Sequence, residues 1–553
     1  MGLYTQLPDD IEEVDVIVTG GSKTALAYQS KREKQLGDRE LIVPAGGVLG
    51  GGSSINMMVY SRGQRIDFDA WKTPGWFADD IVPYLKKFET YHAPSINGLH
   101  GSDGPIHVSR GGYNAPRAMN EFILVTEKMG WPETEDLQNL ESVNAVQRAF
   151  RYVSPDGKRQ DTAHGYLHPL LQDGKHPNLH VLVESQVLRV TFDGTRASGV
   201  TYRPNAAFQP TGANGPSRTV KARRRVVVAC GALGTPPLLE RSGVGDPEVL
   251  KKAGVSVVAS VPGVGYQYED HHLLLYSYKM DFSVEDTLDA LAQGRLNIEE
   301  LMKNNDKLLG WTGQDLTGKI RPTDADVAAL GPEFQAAWDR DFKNSPTKPL
   351  MLLSIINGCP ADPSTTPPGQ YIGISTFSPY PYSRGHIHIT SPELSDPLDF
   401  ETGFFSDVHD IDLKKHIWAY KKQREIVRRM ESYRGELSSC HPPFPANSEA
   451  ACIDTDGPLS GDVRDIRYTA EDDEILAKWL RENVSSTWHS LGTCKMKPKE
   501  EMGVVDSSLN VYGVENLKIV DLSIVPSNVA ANTGSTALAI GEKAADILIK
   551  ELV

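Results

Sequence analysis

The chain has 553 residues, a formal net charge of −15 and a pI near 5.5, with 39% hydrophobic and 23% charged residues. This composition excludes a disordered chain, and the acidic balance argues against a nucleic-acid partner, because neutralising phosphates requires clustered Lys and Arg. The sequence contains no run of about 18 apolar residues and has an acidic amino terminus, so we predict neither a membrane span nor a signal peptide.

Size and cysteine pattern set two further bounds. A chain of this length predicts two or more domains. Its five cysteines are scattered without a C-x-x-C pair, so neither a zinc site nor a disulfide framework is predicted. The carboxyl-terminal Lys550-Glu551-Leu552-Val553 differs from an S-K-L peroxisomal address, which makes the cytoplasm the predicted location.

The first predicted element is a buried parallel strand over residues 14–18, a β-branched run that leads into a glycine turn at Gly20 and Gly21. Further apolar runs that open on small residues predict strands at 179–183, 187–190, 226–230 and 517–521. Residues 536–548 have the apolar period of a helix. Between about 276 and 470 we expect long polar helices and proline-bearing loops. The sequence therefore predicts an α/β fold with a discontinuous nucleotide-binding domain and a second, substrate-side domain.

A glycine-rich loop follows at residues 50–56, with the sequence GGGSSIN. Consecutive glycines let backbone amides approach an anionic or planar ligand without a Cβ in the way, and amides of this kind bind phosphate or flavin oxygens. We interpret the segment as a ligand-binding loop in preference to a simple tight turn.

Several motifs resemble those of one enzyme family. LGGGSSINMMVYSRG (49–63) resembles the first signature of the glucose-methanol-choline oxidoreductases, except at Gly47, and GALGTPPLLERSGVG (231–245) fits every fixed position of the second. The segments 262–265, 270–271, 382–389, 488–494, 521–526 and 532–533 are also similar to the family. TWHSLGTC (487–494), IRPT (320–323) and GLYTQLP (2–8) most resemble fungal alcohol (methanol) oxidases.

The resemblance implies FAD as cofactor, a small primary alcohol as substrate and molecular oxygen as the acceptor, which would give hydrogen peroxide. His489 is the implied base, since a neutral imidazole accepts a hydroxyl proton near neutral pH, and Asn532 would hydrogen-bond the alcohol oxygen. The implied FAD contacts are Gly20, Gly21, Gly51, Gly52, Ser53, Asn56, Met57, Val187, Trp488, Asp521 and Thr533.

The resemblance also implies a domain order and leaves alternatives open. We predict an FAD-binding region over 1–275, a substrate-domain insertion over 276–380, and a carboxyl-terminal region over 381–553 with the substrate-domain sheet, which would begin at residues 382–389. Homo-oligomers and a peroxisomal location are common in such enzymes and stay open here. A dehydrogenase with another acceptor, a lyase and a flavin-free member with an interaction or structural role are alternative functions.

The opening nucleotide motif departs from the family pattern. Ser22 and Ala25 stand at the second and third glycine positions, and only 28 residues separate Gly21 from Gly50. A βαβ unit requires about 30 or more residues, and this stretch has neither a second apolar strand nor a strand-ending acidic residue. A block is therefore missing between Ser22 and Lys23. A mistaken exon boundary is our preferred explanation, against a degenerate protein or a variant that binds flavin weakly.

Asp270, His271 and His272 are a short run of potential metal ligands. Adjacent residues on a strand point to opposite faces, so we predict a structural or flavin-side role for this run and no metal site.

Overall fold

The structure is a computed structural model that describes residues 2–20, 23–95, 98–210 and 215–553. The strands are β1 (Gly2–Tyr4), β2 (Glu13–Thr19), β3 (Lys23–Gln29), β4 (Ile42–Gly47), β5 (Glu89–Tyr91), β6 (Ile106–Val108), β7 (Ala145–Arg148), β8 (His180–Leu182), β9 (Ser185–Asp193), β10 (Arg196–Pro204), β11 (Arg218–Val228), β12 (Val244–Gly245), β13 (Ala259–Ser260), β14 (Tyr266–Tyr268), β15 (His272–Met280), β16 (Gln314–Ile320), β17 (Met351–Ile356), β18 (Tyr371–Ser378), β19 (Gly385–His388), β20 (Asp399–Glu401), β21 (Tyr433–Glu436), β22 (Ser485–Ser486) and β23 (Leu517–Ile519).

The helices are α1 (Arg65–Asp69), α2 (Ala78–Lys87), α3 (Pro116–Lys128), α4 (His168–Gln172), α5 (Gly231–Arg241), α6 (Pro247–Lys252), α7 (Asp289–Ala292), α8 (Ile298–Lys303), α9 (Asp324–Ala329), α10 (Pro332–Asp341), α11 (Ile411–Arg428), α12 (Ala470–Asn483) and α13 (Gly534–Leu552). Within the described ranges, none of them is long and apolar enough to cross a membrane.

One sheet draws its strands from distant parts of the sequence. β11 is parallel to β2 on one side and to β23 on the other, and its amino-terminal half pairs antiparallel with β10, which continues to β9. The β-branched runs of β2 and β11 suit such a parallel core. The predicted discontinuous α/β domain is therefore confirmed.

β2 lies at the edge of this sheet. Among the described residues it pairs with β11 alone, and the next element, β3, forms an antiparallel hairpin with β4 instead of a helix. Val18 is 66% exposed. Strands of a doubly wound sheet are normally covered on both faces. The prediction of a buried first strand is therefore wrong, because among the described residues no crossover helix follows β2 to cover it.

A second sheet is antiparallel and has the order β21-β15-β18-β17-β16-β7, with β22 also paired to β15. Nearly every residue of β15, β17 and β18 is buried. The prediction of mainly polar helices between 276 and 470 is thus wrong for much of this region. Its buried strands contain Ser, Thr and Gly, so their sequences do not have the apolar pattern that identifies a strand. The helices α10, α11 and α12 do occur there.

The segment at 382–389 does not begin this second sheet. Its strand β19 lies between β14 and β20 in a separate three-stranded sheet, which corrects the expectation for these residues. The seven-stranded sheet takes strands from before residue 275, from 276–380 and from after 381. The division of the chain at 275 and 380 stays a prediction.

Candidate active site

The carboxyl ends of β2, β11 and β23 lie side by side, with Val228 in register with both Thr19 and Ile519. Ligands of open parallel sheets bind outside these carboxyl ends. Gly20 directly follows β2 at this edge, whereas Gly21 lies outside the described residues. The edge is therefore the first part of the candidate site.

Asp521 organises this edge. Its carboxylate accepts hydrogen bonds from the Gly231 backbone N–H at 3.0 Å, from the Thr235 hydroxyl at 2.6 Å and from the Ser523 backbone N–H at 2.8 Å. Burial raises the pKa of Asp521 above its ordinary value. These bonds hold the turn at which α5 begins, so the carboxylate is already engaged within the protein.

The glycine loop presents bare backbone to open space. Gly51 has φ +54°, and a Cβ added at Gly51 or Gly52 would meet no atom within 4 Å. The Ser53 hydroxyl donates to the Gly50 carbonyl at 2.6 Å. Met57 is 45% exposed. This geometry agrees with a loop that lies against a flat ligand.

Asn56 has an internal role. The Arg159 guanidinium donates to the Asn56 carbonyl oxygen at 2.8 Å, to its side-chain Oδ1 at 3.0 Å and to the Ser53 carbonyl at 3.1 Å. Arg159 thus fixes the shape of the glycine loop. Sequence reasoning missed it because 103 residues separate it from Asn56.

His489 lies on a loop that follows β22 and is held by Asp270. One Asp270 oxygen accepts from the His489 backbone N–H at 3.1 Å, and the other accepts from the Ser486 hydroxyl at 2.5 Å. Trp488 adopts a left-handed backbone with φ +61° and exposes 51% of its surface. A non-glycine residue in this conformation costs energy, so the Asp270 bonds stabilise a strained turn that aims His489 inward.

The His489 ring has a partner on each nitrogen. Its Nδ1 lies 2.9 Å from Nδ1 of His271, and its Nε2 lies 3.3 Å from Nδ2 of Asn532. An amide nitrogen can only donate, so Nε2 is the unprotonated nitrogen and Nδ1–H donates to His271. The hydrogen-bond network therefore leaves a basic lone pair on Nε2, beside Asn532.

Burial, and the neighbouring His271, lower the pKa of His489 well below its ordinary value. Burial lowers the pKa of His271 to about 4. The Phe377 ring lies 5.8 Å from the His489 ring and 5.5 Å from that of His271. Both imidazoles are therefore neutral near pH 7 and rest against an apolar wall.

Asn532 is fixed by Ser61, which follows the glycine loop. Its backbone N–H donates to the Ser61 hydroxyl at 2.7 Å, and its Oδ1 accepts from that hydroxyl at 3.0 Å. Buried Thr533 is the N-cap of α13, so the positive end of a 19-residue helix points toward the site. The segment that follows the glycine loop, His489 and the start of α13 therefore meet at one place.

Val187 lies elsewhere. It is on β9, in register with Tyr202 on β10, and packs among hydrophobic side chains; two strands, β10 and β11, separate β9 from β2. Nothing in this arrangement brings it to the residues around His489, so its role in cofactor binding stays a prediction, as do the roles of the other predicted contacts.

His271 and Asp270 are the partners that sequence reasoning left without a role at the base. The alternation argument holds, since His271 faces His489 while His272 packs against Phe404 and Phe405 on the other face. The signal was present in the Asp270-His271 pair, but its partner is 218 residues away.

The site fits the flavin half of FAD better than its adenylate half. Gly51, Gly52 and Gly231 leave open space above the backbone, and half-exposed Trp488 and the start of α13 adjoin the base, so these residues fit the flavin ring and its ribityl chain. Fewer of the described residues could hold the diphosphate and adenosine of FAD. Across the described ranges, β2 is followed by the hairpin of β3 and β4, and no helix N-terminus stands after it.

Comparison with known proteins agrees with this geometry. Residues 14–273 match the amino-terminal and residues 381–541 the carboxyl-terminal model of the GMC oxidoreductases. The chain is 37% identical to an alcohol oxidase of Candida boidinii, covering 96% of this chain and 87% of that one, and 37% identical to an alcohol oxidase of Pichia angusta, covering 96% and 86%. A solved formate oxidase variant of Aspergillus oryzae RIB40 superposes with a TM-score of 0.80 at 20% identity, over 97% of this chain and 93% of that one.

The alignment with the Candida boidinii protein also bears on the missing block. It runs over 583 positions but takes in 96% of the 553 residues, so about 52 positions have no residue in this chain. In total these positions exceed the length of a βαβ unit, which is about 30 or more residues.

Proposed function

The chain belongs to the GMC oxidoreductase family, and from this premise we propose that it oxidises a small primary alcohol to an aldehyde, with His489 as the base. One observation carries the proposal: an unprotonated Nε2 of His489 lies 3.3 Å from the amide Nδ2 of Asn532. An acceptor and a donor at this spacing suit one hydroxyl group, which donates to the first and accepts from the second.

The residues act in a definite order. FAD, the cofactor of this family, supplies the hydride acceptor when bound. Asn532 holds the alcohol oxygen and Ser61 holds Asn532, so the hydroxyl is oriented before reaction. Nε2 of His489 takes the hydroxyl proton, and the resulting imidazolium keeps its Nδ1–H bonded to His271. His271 is in this scheme a positioning residue that fixes the tautomer.

Molecular oxygen is the proposed electron acceptor, with hydrogen peroxide as product, because the Candida boidinii and Pichia angusta relatives are both called alcohol oxidases. The test is to saturate the purified chain with FAD, add methanol or ethanol, and compare peroxide formation in air with dye reduction under argon. Peroxide formation supports the oxidase. Dye reduction without peroxide formation would show that the chain is a dehydrogenase and not an oxidase. Cytoplasmic or peroxisomal location and self-association stay predictions.

The exposed edge of β2 favours a second candidate, a flavin-free family member with an interaction or structural role. Its test is spectroscopic. An absence of flavin absorbance at about 450 nm after incubation with excess FAD would support this candidate and exclude the oxidase for the chain as given.

The pH dependence of kcat/KM follows from the buried base. Because burial and His271 lower the pKa of His489, the base stays unprotonated and competent well below pH 6.5, and activity is lost only when the pH falls through that lowered value. We expect the acid limb of kcat/KM to lie well below the ordinary histidine pKa of about 6.5. Steady-state rates between pH 4.5 and 9 measure it, and an acid limb at pH 6.5 or above contradicts the assignment.

A further inference from the structure

Two of the five cysteines meet beside the seven-stranded sheet. Cys359 follows β17, and Cys440 ends a short turn that follows β21; both are partly exposed. The Cys359 Sγ lies 3.4 Å from the hydroxyl of Ser277 on β15. The turn that carries Cys440 is held on the same residue, because the Leu437 backbone N–H and Nε2 of His441 lie 3.0 and 2.9 Å from the Ser277 carbonyl oxygen. The thiols are thus neighbours although 80 positions separate them in the chain.

We propose that Cys359 and Cys440 are an oxidation site, a thiol pair that hydrogen peroxide converts to a disulfide. Both cysteines adjoin Ser277, so forming an S–S bond of about 2.05 Å calls only for local movement of their side chains and of the short turn that carries Cys440. Partial exposure admits a small oxidant, and the geometry gives each thiol a different part in the reaction.

The hydrogen bonds divide the roles. The bond from Cys440, with those from Ser277 and from the Ala361 backbone, lowers the pKa of Cys359 to about 6, while the bond to Cys359 raises the pKa of Cys440. Only a thiolate is nucleophilic, so Cys359 is the attacking sulfur at pH 7 and Cys440 the resolving one.

The reaction balances in two steps. The Cys359 thiolate attacks one peroxide oxygen, an S–O bond forms as the O–O bond breaks, and the released hydroxide takes a proton to become water. The Cys440 sulfur then attacks Cys359, the S–S bond forms, the S–O bond breaks and a second water leaves with the Cys440 proton. Two thiols lose two electrons and one peroxide becomes two waters.

The other three cysteines lack these features. Burial raises the pKa of Cys230 and of Cys452 to about 11, and that of Cys494 well above its ordinary value. Their thiols are therefore protonated at pH 7 and react slowly. Cys452 is also partly exposed, which makes it the matched control.

The source of peroxide during turnover rests on the proposed oxidase function, so the test uses added peroxide and no alcohol. The full chain at pH 7 is treated with a few equivalents of hydrogen peroxide, denatured and labelled with a maleimide mass tag. We expect the free thiols to fall from five to three, to return to five with dithiothreitol, and non-reduced peptides to contain Cys359 joined to Cys440.

Single serine variants complete the design, with thermal melts to establish that each is folded. Cys440→Ser should form no disulfide and leave Cys359 as a sulfenic acid that dimedone captures, while Cys452→Ser should behave as the unmodified chain. Five thiols surviving peroxide, a disulfide that includes Cys452, or equal thiol loss in Cys440→Ser would each overturn the proposal. All of these outcomes are independent of whether the chain oxidises alcohols.

Discussion

FAD is expected to bind this chain no more than about tenfold more tightly than FMN, because the adenylate half of FAD has few binding contacts with this chain. In an intact dinucleotide fold, a helix N-terminus after the first strand holds the diphosphate, and an acidic residue on the second strand holds the ribose. Around β2 the described residues offer neither. Each charge-assisted hydrogen bond contributes about 1.5–3 kcal/mol, so two missing bonds weaken FAD binding by about 10²–10⁴-fold. Titration by quenching of flavin fluorescence measures both affinities.

A chimera provides the control for this expectation. A strand–helix–strand unit that ends in Glu, taken from an intact dinucleotide-binding fold and inserted between Ser22 and Lys23, should tighten FAD at least 100-fold and leave FMN unchanged. A Gly/Ser insert of equal length should change neither. If the chain as given already prefers FAD over FMN by 100-fold or more, residues other than a βαβ unit hold the adenylate, and the interpretation of β2 as an orphaned edge is wrong.

The sequence predicted the parallel sheet well because β11 and β23 contain apolar runs that open on small residues, a pattern set by burial, and because β2 has the same pattern although it is exposed at the edge. It failed for the antiparallel sheet. β18, with the sequence YIGISTFS, is buried throughout, yet its Gly, Ser and Thr conceal the apolar alternation that identifies a half-buried strand. Such a strand is specified by its neighbours in the sheet, which a local pattern does not contain.

The same distinction applies to the candidate site. His489 and Asn532 were found because each lies in a segment that resembles a family motif, and the structure places them in contact. Asp270, His271 and Ser61 escaped notice as partners of these residues, because their effect on the base comes from tertiary contacts over 218 to 471 residues. The tautomer of His489 is a property of that network and has no local signature.

Replacing His489 by Ala is expected to lower kcat/KM for a small primary alcohol by about 10²–10⁴-fold at saturating FAD, the usual loss when a positioned general base is removed. Asn532→Ala should cost about 10–100-fold, since it removes one hydrogen bond to an oxygen that gains negative charge. Flavin titration of each variant separates these losses from a loss of cofactor.

A charge-altering variant tests the base more directly than a deletion. Asn532→Asp places a carboxylate where the amide nitrogen lies 3.3 Å from Nε2 of His489, and a neighbouring negative charge favours the imidazolium. The acid limb of kcat/KM should therefore move to higher pH in this variant, whereas His386→Ala, which alters a half-buried histidine paired with Asp399, should leave both rate and pH profile within about twofold. An unshifted acid limb in Asn532→Asp, or more than a tenth of the activity remaining in His489→Ala, would remove His489 from the role of base, because the contact between these two side chains is what assigns it.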